Sequence, residues 1–327
     1  QVTSESTRNE QRQPPPSPGD QTVVVGMATY SPPFSQHGTS VEEILQNFPS
    51  SKEESIEWAE WCLDLASAHH IAASEEGSTG SSTPRTSDKV WEQIEMAINA
   101  YHEAIRTMKV VIQTTTPPST DHDIFLARTH YFLGEVYFFD PTLKYLEQAV
   151  DAYRESYRLY AKVLETVSPE SRPTIETKFA EACTKLGMAL LSNLDPMEMA
   201  PPWIMAMMMM DSPFNKKKTT KTDSLSQIQE YFESAIHIYE QYYNSPMIAE
   251  VDRQELQYSF ASTVQQAASL AMMQGRLADA KEKYLRALDV QMMLLPRVSS
   301  SSMGAPSSQI AIADTLLSLT DTCVQLG

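Results

Sequence analysis

The stretch 275–288, Gly-Arg-Leu-Ala-Asp-Ala-Lys-Glu-Lys-Tyr-Leu-Arg-Ala-Leu, constrains this chain more than any other. Ala280, Tyr284 and Ala287 fall at i, i+4 and i+7 and so share one helix face. Just upstream, Ala267, Ala268 and Ala271 put small residues on a preceding helix, and Gly275 supplies the turn between the two. Small side chains facing one large ring let two antiparallel helices approach closely and lock. A chain that repeats such pairs has to stack them side by side, because one pair alone leaves apolar surface open.

The pattern recurs. Ala97, Tyr101 and Ala104 repeat the small–aromatic–small trio, preceded by an apolar helix over 55–73 that carries Trp58, Trp61, Cys62 and Leu63. The segment 74–87 reads as a flexible loop, with Ser87 or Asp88 capping the next helix. Leu133, Gly134 and Tyr137 precede Ala149, Tyr153 and Ser156. Leu186-Gly187 precedes Ile228, Phe232 and Ala235, across a long insertion at 194–223. Leu316, Leu319, Cys323 and Gly327 fit the first helix and turn of one further unit.

These residues resemble the tetratricopeptide repeat, a helix–turn–helix unit of roughly 34 residues. The resemblance implies an all-α fold, with antiparallel helix pairs stacked as a right-handed superhelical solenoid over 41–327 and first helices lining a concave face. The final ~70 residues are similar to the longer repeats of kinesin light chain: Tyr284-Leu285-Arg286-Ala287-Leu288, then Leu316-Leu317-Ser318-Leu319-Thr320 before Gln325-Leu326-Gly327. Thr320 stands where that family has alanine, and Leu317 and Ser318 replace its groove asparagines, which implies a shared repeat subtype without shared cargo.

Composition bounds the function. At 327 residues with 42% hydrophobic side chains, the chain is long for one ordinary core and suits an array that grows along an axis. Only 10 glycines argue against an all-β fold. The formal charge of −17 disfavours nucleic acid and anionic membranes, though excess acid also simply keeps a helical surface soluble. Cys62, Cys183 and Cys323 form no disulfide or zinc framework, and a reducing, cytoplasmic setting is expected. No apolar run is long enough to span a bilayer, and no leader stands at Gln1, although an upstream segment is compatible with that start and Met27 could be the natural one. Residues 1–40, rich in Pro, Ser and Gln, read as a disordered tail. Gly327 falls at a turn in mid-repeat, so the expectation is a fragment with more chain downstream.

Motifs that carry chemistry are few. No His-Glu-x-x-His, Gly-x-Ser-x-Gly or phosphate-cradling loop occurs among these residues. Asp121-His122-Asp123 suggests either a metal or an ordinary helix cap, and its place after Pro117-Pro118 favours the cap. His69 and His70 near Cys62 suggest zinc weakly and a helix end more simply. The expectation is therefore a chain with no cofactor, no metal and no catalytic residue. Tetratricopeptide arrays often grip acidic chaperone tails with first-helix lysines and asparagines. Here those positions hold Tyr131 and Glu135, Thr184 and Met188, Gln265 and Ser269, Leu317 and Asp321, none of which supplies a cationic grip. A basic or hydrophobic peptide or helix is the better-matched partner, with Tyr131, Glu135, Thr184, Met188, Gln265 and Ser269 as groove residues.

The insertion concentrates methionine over 197–210, with Trp203, Met207 and Met208, followed by Lys216, Lys217 and Lys218. It reads as a low-complexity loop, an adaptable partner contact, or a membrane-interface segment. Function is thus expected to be a non-catalytic interaction scaffold. One rival is the recruiting region of a larger enzyme whose catalytic domain lies beyond residue 327. The other is a peripheral membrane adaptor using the Met/Trp/Lys insertion.

Overall fold

The computed structural model describes residues 40–46, 55–78, 84–115, 119–139, 144–194, 221–243, 250–298 and 305–326. The expected tail (save Ser40) and the Met/Trp/Lys insertion, with Trp203, Met207, Met208, Lys216, Lys217 and Lys218, lie outside the described residues. Among the described residues every regular element is a helix: α1 Val41–Gln46, α2 Ile56–Ser78, α3 Pro84–Thr114, α4 Thr120–Phe138, α5 Leu146–Leu164, α6 Arg172–Ser192, α7 Lys221–Tyr242, α8 Glu250–Met273, α9 Leu277–Val298 and α10 Ala305–Leu326.

The helices associate in sequence order. α2 packs on α3, α4 on α5, α6 on α7 and α8 on α9, and each pair meets the next through α3·α4, α5·α6, α7·α8 and α9·α10. First helices also touch one another directly, α2 on α4, α6 on α8 and α8 on α10. Contacts within each pair run in opposite chain directions. Gly134 meets Tyr153 while Asp123 meets Lys162, and Gly187 meets Phe232 while Glu176 meets Tyr242. The pairs are therefore antiparallel, and the described chain is an all-α helical-repeat solenoid.

The small and aromatic positions explain how the pairs close. Tyr101, Tyr153, Phe232 and Tyr284 are all wholly buried, as are Ala97, Ala104, Ala149, Ala235, Ala280 and Ala287 beside them. A Cβ placed on Gly134 would stand 2.7 Å from the Tyr153 ring, and one on Gly187 would stand 2.8 Å from the Phe232 ring. Nothing larger than hydrogen fits there without moving a fully enclosed ring. At the α8–α9 turn Gly275 has φ +75°, the left-handed region that favours glycine. Its N–H bonds Met272 O at 3.0 Å while Arg276 N–H bonds Ala271 O at 2.9 Å, a Schellman ending that satisfies the last carbonyls.

Three local expectations need correction. The segment 74–87 is not a loop throughout, because α2 continues to Ser78 and α3 begins at Pro84. Proline is well suited to a first helical turn, so neither Ser87 nor Asp88 caps α3. His69 and His70 are not at a helix end; they sit inside α2, both buried, with His69 Nδ1 2.6 Å from Gln93 Oε1. At α4 the cap is Ser119, whose side chain accepts from Asp121 N, with Asp121 and Asp123 in the first turn.

Candidate partner-binding face

Let the small residue of each first helix that meets the aromatic ring define the register: Ala66, Gly134, Gly187 and Ala268. The residue immediately after it is Ser67, Glu135, Met188 or Ser269. In each pair this residue serves the ring of its own partner helix. Tyr101 OH lies 3.5 Å from Ser67 Oγ, Tyr284 OH lies 2.9 Å from Ser269 Oγ, and Tyr153 OH donates to Glu135. Where the ring is Phe232, with no hydroxyl to satisfy, the neighbour is Met188, packed against the same apolar cluster. Burial, and then the Glu135 carboxylate, push the Tyr153 phenol well above its ordinary value, so it remains a donor.

This matching changes the reading of the groove residues. Glu135 also accepts from Lys185 Nζ at 2.9 Å, so one carboxylate ties α4, α5 and α6 together. Thr184 is 7% exposed, its hydroxyl bonded to Ala180 O at 3.0 Å and 2.9 Å from Thr263 Oγ1, which joins α6 to α8. Tyr131 is half-buried, packed edge-on to Phe132 and Tyr153. Gln265 accepts from Gln291 Nε2 at 3.4 Å across the α8–α9 pair. Within the described helices, Tyr131 and Glu135 are gathered at one seam and Gln265 and Ser269 at another, each fastening the stack.

Sequence reasoning missed the row six residues before the small position: Glu60, Arg128, Glu181 and Ser262. On α2 this row starts with Glu60, whose carboxyl is partly enclosed, flanked by Glu57 and Asp64. Burial, then repulsion by Asp64, pushes the Glu60 carboxyl up, while Arg128 on α4 acts in the opposite direction. The signal was available as the spacing of Glu57, Glu60 and Asp64 along one side of a helix. It carried no weight until the facing helix was known.

A cleft of about 200 Å³ lies between α7 and α9, floored by Ile236 and Val264, and its rim holds the ion pairs Arg286–Glu240 and Lys283–Asp279. Among the described residues no group of three or more His, Cys, Asp or Glu side chains is placed to hold a metal ion. Nor is any described helix long and apolar enough to cross a membrane.

No family model and no curated protein matches this chain. Solved structures do. It is similar to BtubC (BKLC) from P. vanneervenii, at 13% identity and TM-score 0.41, covering 79% of this chain and 84% of that one. It is also similar to the de novo designed helical repeat protein DHR64, at 16% identity and TM-score 0.32, covering 84% of this chain and 96% of that one. The DHF58 filament is a further likeness, at 13% identity and TM-score 0.33, covering 85% of this chain and 100% of that one.

Proposed function

We propose that this chain is a non-catalytic scaffold of the tetratricopeptide type that takes a basic or apolar peptide or helix along its row of first helices. The observation that carries this reading is the carboxylate group of α2, Glu57, Glu60 and Asp64, with the Glu60 carboxyl pushed up by burial and by its neighbour. A lysine or arginine from a partner relieves that repulsion, so a cationic segment is favoured there over an acidic one. The charge of −17 supports the same preference and opposes nucleic acid. Three cysteines far apart in the sequence, with Cys62 and Cys183 buried as free thiols, support a reducing, cytoplasmic setting.

A peptide array spanning basic, apolar and acidic helical sequences tests the proposal on the full chain. Basic peptides are expected to bind best, and Glu57→Lys with Glu60→Lys should weaken them about tenfold or more while circular dichroism shows the chain still helical. Equal binding of charge-matched scrambled peptides, or indifference to the double reversal, defeats it.

A further inference from the structure

A second cleft, of about 310 Å³, opens where α3 passes the junction of α4 and α5. Its apolar lining is Ile98 of α3 together with the rings of Tyr137 and Tyr145, whose centroids lie 5.7 Å apart and whose planes differ by 38°. Glu95, Asn99 and Gln148 supply the polar lining. Glu95, Ile98, Asn99 and His102 fall at i, i+3, i+4 and i+7, so one face of α3 brings an acid, an apolar surface and an amide together. His102 Nε2 stands 2.8 Å from the Tyr137 hydroxyl, which fixes that ring.

The state of its polar groups separates this cleft from the one between α7 and α9. There Glu240 is paired with Arg286, and Asp279 with Lys283 and Arg276, while Glu233 accepts from Gln229 Nε2 at 2.6 Å. Here the carboxylate of Glu95 and the side-chain amides of Asn99 and Gln148 form no hydrogen bond or ion pair with any described residue. All of them are exposed at the cleft, so a ligand can engage them without breaking a contact of the fold. One cation of the chain already uses the aromatic wall. Lys144 Nζ stands 4.9 Å from the Tyr145 centroid and 3.3 Å from its hydroxyl, and the Lys144 side chain is itself exposed.

The geometry points to this cleft as a binding site for an arginine side chain of a partner protein. A tyrosine face attracts a cation, and a planar guanidinium can lie along it while its N–H fork reaches a carboxylate. The guanidinium N–H groups match the acceptors of the lining, which are the Glu95 carboxylate and the amide oxygens of Asn99 and Gln148. A lysine ammonium is more compact and more strongly hydrated, so it uses the ring pair less well. An acidic side chain meets Glu95 with like charge and is rejected. The site uses none of the α2 carboxylates Glu57, Glu60 and Asp64, and so stands apart from the reading along the first helices.

The test titrates acetyl-arginine methylamide into the full chain, with isotope-labelled Asn and Gln side-chain amides read by NMR. The Asn99 and Gln148 resonances are expected to shift saturably. The citrulline analogue, similar in shape but uncharged, should bind at least about tenfold more weakly, and the lysine analogue about threefold more weakly. Glu95→Gln, an exposed and nearly isosteric change, should weaken the arginine probe at least about fivefold. Lys144→Gln removes the competing cation and should tighten binding about twofold. Glu57→Lys with Glu60→Lys should leave the shifts unchanged, so this site and the peptide-binding reading fail separately. No saturable shift, citrulline binding as well as arginine, or indifference to Glu95→Gln would each overturn the proposal.

Discussion

A single hydrogen atom at Gly134 and at Gly187 decides how closely each helix pair can approach. Alanine at either site drives a Cβ to within 2.7 or 2.8 Å of a ring that has nowhere to go. Although alanine is the better helix former by about 1 kcal/mol, overpacking costs about 1–3 kcal/mol. Urea denaturation should therefore show both variants destabilised, and a neutral Gly134→Ala would mean the ring is not confined. The residue after the small position gives a sharper expectation. Phe232→Tyr places a hydroxyl against Met188 with no acceptor and should cost about 1–3 kcal/mol, while adding Met188→Ser should recover most of the loss. A double-mutant cycle with no coupling would show that the ring and its neighbour are not matched. The glycines and rings were legible from the sequence as small and large residues at helical spacing. The matching was not, because it joins residues 15 apart at Ser269–Tyr284 but 34 apart at Ser67–Tyr101.

Each helix is held on two sides by its sequence neighbours, so stability is expected to follow the number of sides covered. α4 and α5 sit inside the cluster that runs from Trp58 to Ala189, whereas α10 meets the stack along one side only. Hydrogen exchange read by mass spectrometry should show α10 amides exchanging at least about tenfold faster than those of α4 and α5. Equal protection would indicate that the open side of α10 is covered. The element boundaries show where local preference stops being sufficient. Ser119 and Gly275 mark ends by chemistry that acts within a few residues, and both ends are readable in advance. The continuation of α2 to Ser78 and the start of α3 at Pro84 go beyond what the Ser, Glu and Gly propensities of that stretch lead one to expect.

Across the whole stack, buried histidines make stability sensitive to acid. Burial, followed by Lys109, pushes the His130 imidazole down to about 4, and neither of its ring nitrogens has a hydrogen-bond partner. Burial also lowers His70. A base with a lowered folded pKa binds protons more readily when unfolded, so stability is full above about pH 6.5 and is lost as pH falls toward about 4. His130 alone corresponds to about 3 kcal/mol over that window, and the lowered carboxyls of Glu103 and Glu155, paired with Arg106 and Arg158, add loss in the same direction. Thermal melts of the wild type and His130→Gln across pH 4–7 should diverge, with the variant losing less on acidification; parallel curves would remove His130 from the account. The amino-acid sequence by itself determined that this chain makes helices, that they pair, and that each second helix sets a large ring between small residues, because those choices depend on spacing within one or two turns. The tertiary structure alone decided that Thr184 and Glu135 fasten seams and that Glu60 stands beside Asp64 and opposite Arg128. Burial and pairing belong to the neighbouring helix as much as to the residue, and that neighbour is chosen only when the pairs stack.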